Sequence, residues 1–172
     1  MGFEPGRGNA LKLPEGSGNY VLILESADRK IISVGKLGKL ELQPGFYLYA
    51  GSARGPGGLQ GRLKRHLRVT KDPHWHIDYL RQRSKILEIW ISQDSRQLEH
   101  RSVGVLSEIK GFSEPLPGFG SSDCRCFSHL FYSARRPEIR EFQACFRATT
   151  SLETAWSLHN WEGGGSAGGF QG

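Results

Sequence analysis

Short apolar runs separated by turn residues dominate the first third of the chain. Residues 20–25 form one such run, residues 30–35 a second, and residues 45–50 a third directly after Pro44. Runs of four to eight apolar, β-branched and aromatic residues bounded by Gly, Pro or Asp are typical of strands. The pattern therefore predicts that several strands precede the first helix.

A basic helix is predicted after the glycine-rich bend at residues 51–58. Leucines recur at every fourth position and predict one buried stripe, formed by Leu59, Leu63 and Leu67. Arg62 and His66 have the same spacing, so we expect their side chains one above the other on an adjacent face. Three further basic side chains are predicted to point to solvent or to phosphate: Lys64, Arg65 and Arg68.

The second half of the chain alternates between helical and strand patterns. Residues 74–80 predict a short helix, residues 86–91 a strand and residues 129–132 the last strand of the core. A helix running to about Ile109 has candidate N-caps at Asp94 and Ser95.

The two ends of the chain differ in composition from the middle. Residues 1–17 are rich in Gly and Pro and are predicted to be flexible. Residues 134–158 predict an appended helix that begins beyond Pro137, and residues 159–172 predict a disordered glycine-rich tail. The remaining 18–133 segment is predicted to be one folded domain.

Length and cysteine content indicate an ordinary globular protein. A chain of 172 residues can bury a sizeable core. No run approaches the roughly 18 apolar residues that span a bilayer, and the N-terminus lacks an apolar signal core, so we expect a cytoplasmic protein without a membrane partner. Of the three cysteines, Cys124 and Cys126 lie too close for an easy mutual bridge, which argues against a disulfide framework.

The positive charge is concentrated in one segment. Between Arg54 and Lys85 there are nine Lys or Arg against two acids, whereas the rest of the chain holds fourteen bases and fifteen acids. Such a cluster is typical of a phosphate-binding surface, and the alternative is a solvated helix face. The residues predicted to contact a nucleic-acid substrate are Arg54, Lys64, Arg65, Arg68, Lys71 and His74.

Several residues outside any simple packing pattern could carry phosphodiester chemistry. That reaction needs a base for water, a cation for the phosphate oxygens and usually a metal ion. Tyr20 and Tyr49 lie on predicted strands, Arg62 and His66 on the basic helix, and Glu99 in the first turns of a later helix. Taken singly, each has an ordinary structural explanation, such as a packing tyrosine or a glutamate favoured by the helix dipole.

The order of these residues resembles that of the GIY-YIG nuclease superfamily. The half-motifs are Gly18-Asn19-Tyr20 and Tyr49-Ala50-Gly51, and the helix motif is Leu59-x-x-Arg62-x-x-x-His66. Longer strings, GFYLYAGSA at 45–53, HWHIDYL at 74–80 and GFGSSDCRC at 118–126, are similar to one compact branch of that superfamily, which is sometimes fused to DNA-repair glycosylases. The resemblance covers roughly residues 18–133.

This resemblance implies a metal-dependent endonuclease that hydrolyses nucleic acid, with DNA favoured. It implies an α/β (α+β) fold with a small, three-stranded, mostly antiparallel sheet flanked by helices. Tyr20 would be the base, assisted by Tyr49 and His66, while Arg62 would bind the scissile phosphate and Glu99 would hold one Mg²⁺ or Mn²⁺. The long gap between the half-motifs predicts an enlarged hairpin at residues 30–42.

Alternatives remain for individual residues and for the function. Tyr47 shares a strand face with Tyr49, and Glu108 and Glu114 are alternatives to Glu99. Cys124-x-Cys126-x-x-His129, completed by His74 or His76, has the residue types of a zinc site, but it lacks the paired CxxC spacing of strong sites, so zinc is disfavoured. The competing functions are a catalytically inactive nucleic-acid-binding module and a zinc-containing interaction domain.

Overall fold

The computed structural model describes residues 11–69 and 72–163. Its helices and strands, in chain order, are β1 (Gly18–Ser26), β2 (Lys30–Val34), β3 (Gly38–Leu42), β4 (Gly45–Ala53), α1 (Gly58–Leu67), α2 (His76–Arg81), β5 (Lys85–Ser92), α3 (Glu99–Glu108), β6 (Phe112–Ser113), β7 (Leu130–Ser133), α4 (Ile139–Thr150) and β8 (Ser157–Asn160). Parts of the two ends predicted to be flexible, residues 1–10 and 164–172, lie outside the described residues, as does Lys71.

Within the residues that the structure describes, the main sheet contains six strands in the order β6-β7-β4-β1-β5-β8, and every pairing in it is antiparallel. The expected mixed α+β class with an antiparallel sheet is confirmed, but the expected three strands are too few. The strands that the sequence pattern missed are the edge strands β6 and β8, of two and four residues. Their residues are mostly exposed, so main-chain hydrogen bonds to a neighbour, rather than an apolar pattern, make them strands.

A separate two-stranded hairpin, β2–β3, follows β1. It occupies the enlarged insertion predicted at residues 30–42. Its inward side chains alternate with exposed ones, and Ile32, Val34, Leu40 and Leu42 are buried against the main core. The hairpin therefore covers one face of the main sheet.

In the described part of the chain, two hydrophobic cores lie on opposite faces of the main sheet. Successive side chains of β1 alternate between them, because neighbouring residues of a strand point to opposite faces. Tyr20 and Leu22 join the core beneath α1, α2 and the hairpin, whereas Val21 and Ile23 join the core beneath α3 and α4. This central position explains why β1 is a continuous apolar run.

Two helix boundaries differ from those predicted. Helix α3 begins at Glu99, not at Asp94 or Ser95, because hydrogen bonds between the Asn19 side chain and Asp94, Arg96 and Leu98 hold the preceding segment outside the helix. Helix α4 ends at Thr150 rather than near Leu158, and Ser151 follows with a left-handed φ of 56°.

The chain after α4 folds back onto the same core. Trp156 packs edge-on against Phe142 at a ring distance of 5.0 Å, and β8 then pairs with β5. Phe142, Phe146 and Trp156 share their core with Val21 and Trp90 of the central strands. Among the described residues, no helix is long and apolar enough to cross a bilayer.

Candidate active site

A cleft opens where β4 extends beyond its pairing with the neighbouring strand β7. The pairing between these strands stops at Tyr49 and Leu130, whereas β4 continues to Ala53. The start of α3 and the 114–129 loop lie beside the part of β4 that extends beyond its pairing with β7. The resulting cleft has a volume of about 320 Å³, and its lining includes Tyr20, Tyr49, Arg62, His66 and Glu99.

Tyr20 is buried at the floor of the cleft and is hydrogen-bonded to the basic helix. Its Oη lies 2.8 Å from Nε2 of His66, and both side chains are about 2% exposed. Burial, with further contributions from Tyr49 and Glu99, raises the pKa of Tyr20 well above its usual value, although nearby Arg62 lowers it. The phenol is therefore protonated in the resting protein.

Gly51 provides the space that the Tyr20 ring occupies. It pairs with Tyr20 across β1 and β4, and a Cβ at this position would lie 2.4 Å from the tyrosine Oη. Since such a contact is far inside van der Waals distance, any side chain at Gly51 would displace the ring. The glycine of the second half-motif thus has a direct steric role in the site.

Tyr49 contacts the same histidine from the adjacent strand. Its ring lies 6.3 Å from that of His66 and 6.0 Å from that of Phe119, both edge-on. Burial and the negative charge of Glu99 raise the pKa of Tyr49, although Arg62 again opposes this. The alternative residue, Tyr47, is fully buried, hydrogen-bonds through its Oη with the Gln43 backbone and does not line the cleft.

Arg62 is positioned by an aromatic ring that precedes α2. Its Cζ lies 4.5 Å from the centre of the Trp75 ring, and the Cζ of Arg65 lies 4.6 Å from the same ring. Such cation–π contacts hold a guanidinium in place while leaving its edge N–H groups available. Arg65 also forms a 2.8 Å ion pair with the buried carboxylate of Asp78, which accepts the His74 and Trp75 backbone N–H groups.

Glu99 is the first residue of α3, and two neighbours hold its carboxylate. Ser52 Oγ donates to Oε2 at 2.7 Å, and Oε1 lies 3.0 Å from Nδ1 of His129. Burial raises the pKa of Glu99, but these hydrogen bonds outweigh burial, so the net shift is downward and the carboxylate is ionised. The alternatives, Glu108 and Glu114, do not line the cleft.

The segment before α3 is held by a buried amide in the first half-motif. Asn19 Nδ2 donates to the carbonyls of Asp94 and Arg96, at 3.3 and 3.0 Å, and its Oδ1 accepts from the Leu98 N–H at 2.9 Å. All the hydrogen-bonding atoms of this side chain therefore serve residues 94–98. Asn19 on β1 thus sets where α3, and with it Glu99, begins.

The predicted substrate-binding residues that the structure describes do not line the cleft. Arg54, Lys64, Arg68 and His74 are exposed, and Arg54 donates to the Ser95 carbonyl at 2.8 Å. Arg65 is half-buried in its ion pair with Asp78. None of these five lines the cleft, which is lined instead by the predicted catalytic residues and Glu99.

A second group of polar side chains lies beside the cleft, and three of its four members, His100, Cys124 and His129, line it. The ligand atoms of His100, Cys124, Cys126 and His129 all lie within 4.8 Å of one another, and this set is called the Cys–His cluster below. The sequence pattern predicts His74 or His76 as the fourth member, but the structure brings His100 to this position. His76 Nδ1 instead accepts a hydrogen bond from the Gly120 N–H at 2.9 Å.

Several site residues could not be found from the sequence pattern. Ser52 and Trp75 each contact a predicted residue, yet no spacing rule connects them to it. His129 is predicted only as a candidate zinc ligand, and its spacing does not connect it to Glu99. The only local signal was that they lie in or beside the characteristic strings at 45–53, 74–80 and 118–126.

The fold and the cleft define a mixed α+β protein with a polar site containing two buried tyrosines, an arginine, histidines and an ionised glutamate. The chain belongs to the family described as domain of unknown function DUF123, whose model matches residues 19–151. No significant match was found among curated proteins or among solved structures.

Proposed function

We propose that this protein is a metal-dependent endonuclease of the GIY-YIG type that hydrolyses phosphodiester bonds in nucleic acid, with DNA as the favoured substrate. One observation carries the proposal. Residues Tyr20, Tyr49, Arg62, His66 and Glu99, which come from two strands and two helices, line a single cleft. The cleft thus offers a proton acceptor, a phosphate-binding cation and an ionised carboxylate.

Arg62 is suited to bind the scissile phosphate. Trp75 holds its guanidinium over the aromatic face, so the planar donor groups can engage two phosphate oxygens at once. A donor placed where negative charge grows in the transition state is worth roughly 10²- to 10³-fold in rate. Arg62 would therefore contribute mainly to turnover rather than to substrate affinity.

Tyr20 and His66 provide a route for the proton of the attacking water. The 2.8 Å hydrogen bond between them allows Tyr20 to lose its proton by way of a neutral His66, and the resulting phenolate can then take a proton from the attacking water. Tyr20 has a raised pKa, so its phenolate is scarce near neutral pH but strongly basic when formed. Arg62 is the neighbouring cation that favours this ionised form.

Glu99 fits the role of ligand to a hard divalent cation. Mg²⁺ is commonly held by one or two carboxylates, with waters completing its shell, and Mn²⁺ accepts similar oxygen ligands. Glu99 is ionised, and Ser52 and His129 fix its orientation, so the donor chemistry of this residue suits such an ion. When bound, the ion would offset the negative charge of the phosphate.

The decisive experiment measures cleavage of labelled single-stranded and duplex DNA and RNA by the purified protein, with Mg²⁺, Mn²⁺ or a chelator. We expect metal-dependent cleavage, loss of it in Glu99→Ala, and little change in the matched control Glu108→Ala at the exposed end of α3. Binding should survive in Glu99→Ala, because it depends mostly on the basic surface and weakens steeply with salt.

The outcomes separate the competing functions. Salt-sensitive binding without cleavage under any metal condition would instead favour a non-catalytic nucleic-acid-binding module. Full activity in Glu99→Ala would contradict the assignment of Glu99 as the metal ligand.

A further inference from the structure

We infer that the Cys–His cluster is a tetrahedral zinc site, distinct from the cation site at Glu99. The cluster joins two parts of the fold, α3 and the 114–129 loop. His100 comes from the first turn of α3, Cys124 and Cys126 come from the long loop before β7, and His129 immediately precedes β7. Their four ligand atoms already converge within 4.8 Å.

The donor set selects the metal. Two thiolates and two imidazoles are soft and borderline ligands, typical of structural zinc, whereas Mg²⁺ and Mn²⁺ prefer oxygen. The sequence spacing alone disfavoured zinc because a Cys-x-Cys pair is not a zinc-finger pattern. The tertiary structure provides the fourth ligand, because it brings the His100 imidazole of α3 beside the two thiols and His129.

The hydrogen bonds of His129 leave its other ring nitrogen available for a metal. Nδ1 lies 3.0 Å from Oε1 of Glu99 and 3.2 Å from the Ala50 carbonyl oxygen. Both of these neighbours are acceptors, so Nδ1 carries the hydrogen, and in the neutral ring Nε2 holds the lone pair. That Nε2 faces the cluster, 3.2 Å from Cys124 Sγ. Zinc-bound histidines commonly donate their second N–H to a carboxylate or a carbonyl in this way.

A hydrolytic Cys–His–Glu triad would use some of the same contacts, but it does not explain the whole cluster. Cys124 Sγ contacts His129 Nε2, and His129 Nδ1 contacts the Glu99 carboxylate, as a nucleophile, a base and an orienting acid would. A triad needs neither a second thiol nor a second imidazole, yet Cys126 and His100 converge on the same point. Four converging donors are what a tetrahedral ion requires.

Zinc at this point would tie the 114–129 loop to α3. This loop is long and contains neither helix nor strand among its residues, and such loops need additional contacts to stay ordered. His129 would also connect the zinc ion to Glu99, which makes it a positioning residue for that carboxylate. This last link rests on the proposed nuclease function, whereas the zinc site itself does not.

The test measures metal content of the full-length protein, produced with zinc supplementation and purified without metal-affinity resin. We expect one zinc per chain in the parent protein and less than a tenth of that in Cys126→Ser. The matched control is Cys145→Ser, because Cys145 is a partly buried free thiol on α4 outside the cluster. It should keep the full zinc content.

Two measurements on the parent protein keep the inference testable if Cys126→Ser fails to fold. Replacement by Co²⁺ should give the visible absorption of tetrahedral thiolate-bound cobalt. X-ray absorption at the zinc edge should show two sulfur neighbours at about 2.3 Å and two nitrogen neighbours at about 2.0–2.1 Å. Absence of stoichiometric zinc, absence of the tetrahedral cobalt absorption, or a shell with only oxygen and nitrogen would each overturn the inference.

Cleavage assays then distinguish failure of this inference from failure of the proposed function. Bound zinc in a protein that cleaves no nucleic acid would leave the zinc site intact and refute the nuclease. Cleavage of nucleic acid by a protein that holds no zinc would support the nuclease and refute the zinc site. If both hold, Cys126→Ser should need at least several-fold more Mg²⁺ for half-maximal cleavage than Cys145→Ser does, because Glu99 loses its oriented partner.

Discussion

Burial governs the chemistry available to single residues of the cleft. Tyr20 and Tyr49 would be unremarkable packing residues if each were alone on its strand. Placed together around His66 and near Arg62, they form a buried polar group whose protonation is controlled first by burial and then by the surrounding charges. The same contrast applies to Arg62, which is half-buried against Trp75 and, unlike Arg65 over the same ring, lines the cleft.

The Tyr20 hydroxyl should be required for cleavage and should set its pH dependence. Burial raises the pKa of Tyr20, so the phenolate fraction at neutral pH is small and increases as the pH rises. The single-turnover rate should therefore climb into the alkaline range, and Tyr20→Phe should lose both the rate and that climb. The measurement is a pH–rate profile of both proteins.

The folded state of Tyr20→Phe should change little, because the ring is retained and only its hydrogen bond to His66 is lost. That loss costs about 0.5–1.5 kcal/mol. If Tyr20→Phe cleaves at the parental rate with an unchanged profile, Tyr20 is a packing residue, and Tyr49 becomes the residue to test.

Replacing Arg62 by lysine should lower the turnover by roughly 10²-fold or more, on the scale of losing one transition-state donor. An ammonium group cannot reproduce the planar, two-pronged contact with phosphate. The control is Arg68→Lys, since Arg68 is exposed just beyond α1. Equal losses in the two variants, measured by single-turnover cleavage, would show that Arg62 contributes only general positive charge.

At the scale of secondary-structure elements, the site depends on where the pairing between β4 and β7 stops and where α3 begins. The pairing of β4 with β7 stops at Tyr49, and α3 starts at Glu99, so the part of β4 beyond this pairing meets the beginning of the helix. Asn19 connects these features, because its amide on β1 holds the segment that leads into α3. The first half-motif thereby positions the carboxylate as well as the tyrosine.

Asn19→Asp should disturb that connection specifically. An aspartate can accept from the Leu98 N–H, but it cannot donate to the Asp94 and Arg96 carbonyls, which would then face a negative charge. We expect a loss of about 1–3 kcal/mol in the free energy of unfolding, the cost of an unsatisfied buried group. We also expect weaker cleavage, because Glu99 moves with the start of α3.

The matched control is Gln93→Glu, which makes the same amide-to-carboxylate change at an exposed position of the neighbouring loop. Denaturant unfolding and cleavage should both remain close to parental in this variant. A stable, fully active Asn19→Asp protein would contradict the role given to the amide.

At the scale of the whole molecule, the segment after β7 is part of the core. Phe142 on α4 lies 5.3 Å from the Trp90 ring of β5 and 5.0 Å from that of Trp156. The segment expected to be an appendage therefore closes one face of the sheet.

Phe142→Ala should consequently destabilise the entire protein. Truncating a fully buried phenylalanine costs roughly 3–5 kcal/mol, whereas Ile31→Ala at the exposed hairpin position should stay within about 0.5 kcal/mol of the parent. Urea unfolding followed by circular dichroism and by tryptophan fluorescence should give one coincident transition. Two separate transitions, with α4 unfolding first, would instead indicate an independent appendage.

The sequence by itself determined the features that depend on local pattern. Apolar runs located β1, β2, β4, β5 and β7, and the four-residue leucine spacing located α1, because side-chain periodicity directly reflects which face is buried. The order of the motif residues was enough to select Tyr20, Tyr49, Arg62, His66 and Glu99 as candidates. All five line the cleft.

Only the tertiary structure decided the features that depend on partners distant in the chain. The edge strand β8 forms by main-chain hydrogen bonds to β5, and α4 ends early so that Trp156 can return to its core. His100 joins the Cys–His cluster because α3 packs beside the 114–129 loop. Such contacts arise from packing between separate elements, which no local periodicity or spacing records.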